Sequence, residues 1–182
     1  MKNFRLEPLA EEEIKQFKMD MQEAFQKGAE EGFEHIVDEI LPESHIDCAM
    51  QMPGAITYKA VVDGKMVGGA IVVIDKETQH NHLHFLYVKN GIQGKGIGQA
   101  IWRAIEEKYS ETKVWETCTP YFEKRNIHFY VNRCVFHIVE FFNKFHPDPN
   151  ETEERDDLFD HEYFDGMLRF EKVMKPLVQV KS

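Results

Sequence analysis

The sequence predicts one α+β domain, and three local patterns carry that prediction. Apolar residues recur at helical spacing near the N-terminus, Asp63-Gly64 separates two β-rich runs, and the stretch Val88–Ala104 has the pattern of strand, glycine-rich turn and helix. A chain of 182 residues with 42% hydrophobic content is long enough for one core, and it contains no internal repeat. We therefore expect residues 1–182 to form a single domain.

The N-terminal part is predicted to contribute a short strand, residues 3–8, and then a pair of helices over about residues 10–41. The first helix is indicated by acids in its first turn and by four apolar residues at helical spacing, which are Ile14, Phe17, Met21 and Phe25. A second amphipathic pattern covers Glu30–Leu41 and stops at Pro42. From there to Pro53 the pattern is irregular, which predicts a loop.

The middle of the chain is predicted to be an antiparallel meander of three strands, Thr57–Val62, Met66–Ile74 and His82–Val88. Asp63-Gly64 fits a two-residue hairpin turn between the first two strands, because both central residues of such a turn take positive φ. The third strand leads directly into the glycine-rich turn.

The turn Gln93–Gly98 has three glycines alternating with other residues, and it opens a helix. The first N–H groups of a helix lack intrahelical partners and lie at its positive end, so this turn is suited to a phosphate or pyrophosphate. A dinucleotide fingerprint is excluded, because the position of its last glycine, counted from Gly94 and Gly96, is Gln99. A P-loop is excluded because no Ser or Thr follows Gly94-Lys95.

The C-terminal half continues with alternating elements. The helix after the glycines should bury one face, made of Ile97, Ile101, Ala104 and Ile105. A strand, a helix and two strands follow, over Lys113–Thr117, Glu123–Arg133, Phe136–Phe142 and Met167–Met174. The last two strands are separated by the acidic segment 148–165, which is too polar for a core element and long for a loop.

The charge balance argues against nucleic acid as a partner. The net charge is −10, from 32 acidic and 22 basic residues, whereas phosphate backbones are bound by basic surfaces. An acidic protein is compatible with a cationic or amine substrate, although acidity also serves solubility alone. No N-terminal apolar segment and no run of about 20 apolar residues is present, so we expect a cytoplasmic protein that does not act at a membrane.

Two stretches of the chain resemble the GCN5-related N-acetyltransferases (GNAT). The fixed positions of the family signature Gln/Arg-x-x-Gly-x-Gly/Ala are filled by Gln93, Gly96 and Gly98. Asn126–Tyr130 with Phe136 is similar to a later family pattern of Asn, Phe-Tyr and Gly-Phe. Two departures are visible: Val135 replaces the glycine before Phe136, and the asparagine lies four rather than seven residues before the tyrosine.

The resemblance covers nearly the whole chain and implies both a fold and a reaction. The implied fold is a mostly antiparallel, twisted sheet of about seven strands, with a splay between two parallel strands and about four flanking helices. The implied reaction is direct transfer from acetyl-CoA, the co-substrate, to a primary amine of a small molecule in a ternary complex. Three alternatives stay open: a protein or peptide amine as acceptor, a longer acyl group, and an acyl-CoA-binding relative with a regulatory or scaffolding role.

The resemblance also implies the cofactor-binding residues. The pyrophosphate of coenzyme A would be held by backbone N–H groups of Gln93, Gly94, Lys95, Gly96, Ile97 and Gly98. The backbone of Leu86, Tyr87 and Val88 would pair with the pantetheine amides as an added strand does, and an N–H near Val88 would support the oxyanion. Asn126, or alternatively Glu123, would contribute from the later helix.

The catalytic candidates are Tyr130, His82, His84 and Glu116. Tyr130 matches the family tyrosine that protonates the departing thiolate, a role that suits a phenol of pKa about 10. The other three are candidates for the general base, since His82 stands where some members carry a catalytic glutamate and imidazole titrates near neutrality. The period of two predicts that His82 and His84 face the same way as Leu86 and Val88. Proton loss to water, with no single base, is the alternative.

Metal binding is considered because His80, His82 and His84 alternate along one strand, a spacing that permits zinc ligation. The sequence fixes no further ligand and the family reaction needs no metal, so we expect no metal site. The cysteines are too widely spaced for a zinc knuckle or a disulfide framework, and we expect reduced, mostly buried thiols at Cys48, Cys118 and Cys134.

Two expectations concern the surface. In the family the N-terminal helical pair borders the acceptor groove, so Phe25, Phe33 and Glu34 are candidate selectivity residues; ordinary core and solvated positions are the alternative. The aromatic-rich run Phe136–Phe145 and the sheet edges would support a homodimer.

Overall fold

The computed structural model describes residues 3–31, 39–149 and 166–174, which contain a seven-stranded mixed sheet with helices packed on it. The strands are β1 Phe4–Pro8, β2 Ala55–Val62, β3 Lys65–Val73, β4 His80–Val88, β5 Val114–Pro120, β6 His137–Phe142 and β7 Met167–Val173. They lie in the order β1-β2-β3-β4-β5-β7-β6, and all neighbours are antiparallel except β4 and β5. This arrangement confirms the predicted α+β fold.

The described residues also form four α-helices: α1 Ile14–Glu30, α2 Glu43–Gln51, α3 Ile97–Lys108 and α4 Lys124–His128. A short 3-10 turn, Glu11–Glu13, precedes α1. A π-helical turn, Phe129–Arg133, continues α4, and the N–H of Cys134 donates to the carbonyl of Phe129 at 3.0 Å. The predicted helix Glu123–Arg133 is therefore divided into an α-helical and a π-helical part.

The N-terminal helical pair differs from the prediction. The first helix continues to Glu30, residues 32–38 of the predicted second helix lie outside the described residues, and residues 39–41 are not helical. The second helix, α2, instead follows Pro42, where the sequence predicts a loop. Proline has no backbone N–H, but the N–H groups at the start of a helix have no intrahelical partner in any case. Pro42 is therefore compatible with the start of α2, and here it precedes a helix rather than ending one. Buried Ile46 holds α2 on the sheet.

The two faces of the sheet carry separate hydrophobic clusters. Along β3, Ala70 and Val72 belong to one cluster and Ile71 to the other, because successive side chains point to opposite faces. The cluster under α3 includes Ile97, Ile101, Trp102, Ile105, Trp115 and Phe136. The cluster under α1 and α2 includes Phe17, Met21, Ile46 and Tyr87. Three residues of the predicted face of α3 are thus buried, whereas Ala104 is only half-buried and Trp102 is buried in addition.

Two turns test the sequence interpretation. Asp63 and Gly64 have φ of 50° and 78°, as the predicted hairpin turn requires. Val135 takes a φ of 63°, so the sharp turn is kept without glycine. This conformation costs a β-branched residue on the order of 1–3 kcal/mol. The N–H of Phe136 donates to the carbonyl of Tyr130 at 3.0 Å, and the buried Phe136 ring holds the turn in place.

β4 and β5 are paired over only a short distance, as the predicted splay requires. Their parallel register covers three pairs and ends at His82 opposite Glu116. Beyond that point β5 stays paired with β7 as far as Pro120, while β4 stays paired with β3 as far as Val88. The hydroxyl of Thr117 donates to the carbonyl of Leu83 at 2.8 Å. From His84 onward, no described strand therefore pairs with the edge of β4 that faces β5.

A β-bulge in β4 corrects the predicted orientation of the histidines. Ile71 of β3 is opposite Phe85 and Val72 is opposite Leu83, so His84 is the extra residue. Leu83, Leu86 and Val88 contact the cluster under α3, whereas Phe85 and Tyr87 contact the cluster under α1 and α2. The prediction that His82 shares a face with Leu86 and Val88 is therefore wrong, because the extra residue reverses the alternation.

Several surface features complete the description. No helix among the described residues is long and apolar enough to span a membrane. Cys118 is half-buried and Cys134 is buried, but Cys48 is exposed, so the expectation of mostly buried thiols is wrong there. Strand β6 lies at the sheet edge and exposes Ile138 and Val139. The homodimer stays a prediction.

Candidate active site

A cavity of about 810 Å³ opens where β4 and β5 diverge. Its walls come from α1, α2, the β4 residues His82–Phe85, β5, α4 and the π-helical turn after it, and from β6 and β7. It brings together five of the predicted site residues, Tyr130, His82, His84, Glu116 and Asn126. Phe25 also lines the cavity, whereas Phe33 and Glu34 lie outside the described residues.

The glycine turn has the bare backbone that the sequence predicts. Gly94 and Gly96 have φ of 79° and 77°, which glycine adopts at no steric cost, and a Cβ at either position would meet nothing within 4 Å. Within the described part of the chain, residues 93–98 donate no backbone hydrogen bond. Ile97 begins α3, so these N–H groups lie at the positive end of the helix dipole. The turn is suited to binding an anion.

The end of β4 connects the cavity to the glycine turn. The Tyr87 ring is buried against Phe17, with ring centroids 5.2 Å apart in an edge-on arrangement. Its backbone, and not its side chain, is therefore available to a ligand in the splay. Leu86 and Val88 pair with β3 along one edge, and no described strand pairs with them along the other. The carbonyl of Val88 accepts a hydrogen bond of 3.4 Å from the side-chain amide of Gln93.

Tyr130 lies in the π-helical turn and lines the cavity, although its side chain is almost completely buried. Burial raises the pKa of its phenol above the ordinary range, and a hydrogen bond with Thr117 opposes this only in part. The phenol therefore carries its proton at neutral pH. Such a group can donate to an anion that forms beside it.

Gly98 joins the glycine turn to the helix that carries Tyr130. A Cβ at position 98 would lie 3.3 Å from the ring of Phe129, the residue before Tyr130, which is closer than most such contacts. The amide of Gln99 donates to the carbonyl of Arg133 at 3.1 Å in the same region. The start of α3 therefore packs directly on the π-helical turn.

His82 is held by an ion-pair network on the cavity wall. Its Nε2 lies 2.9 Å from Oε1 of Glu116, whose other oxygen accepts a bond of 3.0 Å from Arg169. Arg169 also donates to Glu140 at 3.1 Å and to Glu171 at 2.6 Å. Sequence reasoning missed Arg169, because β7 and β5 become neighbours only in the folded sheet.

The ion-pair network determines the charge of Glu116. Burial favours the neutral form of Glu116, but hydrogen bonds and charges from His82 and Arg169 outweigh it and hold the pKa of this carboxyl below its usual range. Glu116 is therefore ionised and already partnered at neutral pH. It is better suited to orienting His82 than to accepting a proton from a substrate.

Glu123 is a buried acid that the sequence analysis named only as an alternative to Asn126. It precedes the first residue of α4, lines the cavity and is 7% exposed. Burial raises its pKa to about 7, with Arg125 opposing the shift and Glu31 adding to it. The signal in the sequence was its spacing of seven residues before Tyr130.

The alternating histidines of β4 do not form a metal site with other described residues. Among residues 3–31, 39–149 and 166–174, no three His, Cys, Asp or Glu side chains converge as a metal would require. His80 is exposed at the start of β4, and His82 is bonded to Glu116.

The raised pKa of Glu123 makes a prediction about stability. Because folding raises this pKa from 4.5 to about 7, the folded state penalises the ionised carboxylate. The penalty is absent below pH 4.5, grows up to about pH 7 and is complete above it, where it is on the order of 3 kcal/mol. We expect Glu123→Gln to raise the free energy of unfolding in urea at about pH 8 and much less at about pH 4.

Glu39→Gln is the matched control for this measurement. Glu39 lines the same cavity, but it is exposed and accepts a hydrogen bond of 2.8 Å from Gln22. Its replacement should change stability little at either pH. An equal effect of Glu123→Gln at both pH values would contradict the assignment of a buried, proton-binding carboxyl.

Comparisons with known proteins agree with the fold and the motifs. The model of the Acetyltransferase (GNAT) family matches residues 17–136. The uncharacterized protein YrkN of Bacillus subtilis (strain 168) is 43% identical over 175 residues, which cover 93% of each chain. The IAA acetyltransferase of Bacillus cereus ATCC 14579 is similar in structure, with a TM-score of 0.64 at 18% identity over 94% of this chain and 99% of that one.

A GNAT family acetyltransferase from Elizabethkingia anophelis, solved with acetyl-CoA bound, has a TM-score of 0.66 at 12% identity over 95% of this chain and 99% of its own. At these identities the solved structures support the fold alone. The family model covers more than half of the chain and agrees with the signature at Gln93–Gly98. The chain therefore belongs to the acetyltransferase (GNAT) family, as its motifs predict, and its class of activity is acetyl transfer.

Proposed function

We propose that this protein moves an acetyl group from acetyl-CoA to a primary amine of a small molecule, by direct transfer in a ternary complex. The observation that carries the proposal is one cavity in which Tyr130 faces the same space as the His82–Glu116 pair. A volume of about 810 Å³ is in the range of cavities that bind small molecules. Membership of the family supports the reaction class.

The donor is proposed to lie along the splay. The N–H groups of residues 93–98 bind its pyrophosphate, because they are unpaired and lie at the start of α3. The open backbone edge at Leu86 and Val88 receives the pantetheine amides as a sheet edge receives an extra strand. Asn126 lines the cavity from α4 beside this path. A structural relative with acetyl-CoA bound supports this choice of donor.

The proposed base is His82. The bond from Nε2 to Glu116 leaves Nδ1 as the acceptor of a proton from the substrate ammonium. Glu116 fixes the ring and stabilises the imidazolium that forms, and Arg169 holds Glu116. His84, whose ring centroid lies 5.6 Å from that of His82, is the alternative base.

In the proposed transfer step, one bond forms and one bond breaks. The neutral amine attacks the carbonyl carbon of the thioester, the carbon–nitrogen bond forms, and the carbon–sulfur bond breaks with the electron pair on sulfur. The phenol of Tyr130 gives its proton to the departing thiolate, and the attacking nitrogen then loses its remaining extra proton, which returns to the Tyr130 oxygen as the amide forms. A backbone N–H of the open β4 edge near Val88 is the proposed donor to the oxyanion.

The donor site is tested by calorimetric titration of acetyl-CoA. We expect micromolar binding to the unmodified protein and at least a tenfold loss, about 1.4 kcal/mol, for Gly96→Ala, because alanine disfavours the positive φ that Gly96 has in the turn. Gly91→Ala is the control, because Gly91 also has a positive φ of 80° and open space around it. Absence of binding to the unmodified protein, or equal losses in both variants, would contradict the donor site.

The role of Tyr130 is tested by Tyr130→Phe, which removes the acidic proton and keeps the ring. We expect kcat to fall by about 100-fold or more while KM for acetyl-CoA changes little. Tyr109→Phe is the control. The Tyr109 hydroxyl is hydrogen-bonded to that of Tyr58 at 2.6 Å, and neither residue lines the cavity. An unchanged turnover rate in Tyr130→Phe would remove Tyr130 from the mechanism.

The role of His82 is tested by the pH dependence of kcat. A base must be deprotonated before it acts, so the rate of the unmodified enzyme should rise with pH until the base has lost its proton. His82→Gln should lower kcat by about 100-fold and abolish the rise of kcat with pH. The control His80→Gln should keep the unmodified value of kcat and the rise with pH. If the rise persists in His82→Gln and disappears in His84→Gln, His84 is the base instead.

A further inference from the structure

The cavity wall carries more negative than positive charge. Among the described residues, its lining carboxylates belong to Glu39, Glu116, Glu123, Glu140 and Asp148, and its lining guanidinium belongs to Arg169. Arg169 is bonded to Glu116 and to Glu140, which also bonds to His146 at 2.8 Å. An amine acceptor is therefore matched in charge by the wall as a whole.

Glu123 differs from the other acids of the wall. It is more than nine-tenths buried, and within the described part of the chain no hydrogen bond reaches its carboxylate. Arg125, whose charge opposes the pKa shift of Glu123, is bonded to Glu31 at 3.3 Å. Burying a carboxylate without a partner is costly, and no cation of the described residues is bonded to this one.

The position of Glu123 points to the acceptor. A Cβ at Gly28 of α1 would lie 3.8 Å from each carboxylate oxygen, so the Glu123 side chain lies against α1. Phe25, one turn earlier on α1, lines the same cavity. The glycine turn, where the donor pyrophosphate is proposed to lie, is not part of this wall.

The nitrogen of the acceptor that is acetylated is not the lasting ion-pair partner of Glu123. That nitrogen gives up its proton before it attacks, and His82 with Glu116 is placed to receive the proton. A buried carboxylate is neutralised instead by a group that stays cationic throughout the reaction. We propose that Glu123 binds a second cationic group of the acceptor, so that the substrate is a diamine or a longer polyamine rather than a monoamine. This inference rests on the acetyl-transfer function proposed above.

The protonation of Glu123 is consistent with such a role. Its pKa of about 7 leaves it partly protonated near neutrality, where Arg125 opposes the shift and Glu31 adds to it. Tyr130, on the same stretch of chain, is neutral at this pH. A bound ammonium favours the ionised carboxylate, so binding of a diamine releases a proton from Glu123.

The experiment compares linear diamines, from putrescine upward, with the monoamines of the same chain length. For Glu123→Gln we expect KM for the diamines to rise at least 30-fold, with kcat and KM for acetyl-CoA changed little. KM for the matched monoamines should stay within about twofold. Glu107→Gln is the charge-matched control, because Glu107 is exposed on α3 and does not line the cavity, and it should leave the preference for diamines intact.

Three outcomes would overturn the inference. An equal fall of kcat with diamines and monoamines would make Glu123 the base, and a change confined to acetyl-CoA would make it a donor contact. Unchanged kinetics with both amine series would leave the carboxylate without a role.

Calorimetry separates this inference from the proposed function. Cadaverine is titrated into the complex with coenzyme A, in two buffers of different ionisation enthalpy, for the unmodified protein and for Glu123→Gln. The assignment of Glu123 is supported if the unmodified protein releases a proton on binding cadaverine and Glu123→Gln does not. This result would stand even if no amine were acetylated, and only the acetyl-transfer proposal would then fail. Equal binding by both proteins rejects the assignment.

Discussion

The hydrogen bond from Thr117 to the carbonyl of Leu83 marks the point on which the site depends. Up to that point β4 and β5 exchange backbone hydrogen bonds, and beyond it a side chain takes the place of the ladder. β5 remains with β7, so β4 is left with an open edge. The same parting creates the cavity and exposes the backbone leading to the glycine turn. The bulge at His84 lies beside this point and sets which side chains face the cavity.

The helix that carries Tyr130 concentrates unfavourable features. Val135 holds a left-handed conformation that glycine would adopt freely, and Glu123 is an acid buried without a partner among the described residues. Neither feature improves the packing of the core, and strain of this kind is tolerated where a site requires a particular geometry. The surrounding aromatic cluster compensates, since Phe136 and Phe170 pack around the Tyr130 ring.

The sequence predicted those parts of the fold that short-range patterns determine. The Asp63-Gly64 hairpin, the apolar face of α3 and the glycine turn each depend on neighbouring residues, and each is present. The bulge at His84 was missed because it depends on how β3 pairs with β4, which no local period encodes. The start of α2 was missed because a proline is equally compatible, by local preference, with the end of one helix and with the start of the next.

The candidate site was predictable to a similar extent. Tyr130, His82, His84, Glu116 and Asn126 were all named from the sequence, and they line one cavity. Their division of roles was not predictable, because it depends on Arg169, which reaches Glu116 from β7 across the sheet. Glu123 was underestimated for a related reason: its importance comes from burial and from the lack of a partner, and neither property is visible in a spacing.

The contact between Gly98 and Phe129 has a consequence for donor length. It fixes the start of α3 against the turn that carries Tyr130, so the distance from the N–H groups of the glycine turn to the phenol is set by packed parts of the fold. If the donor binds as proposed, this fixed distance would select the length of the arm between its pyrophosphate and its thioester. A thioester on a shorter carrier would then not reach both the glycine turn and the phenol.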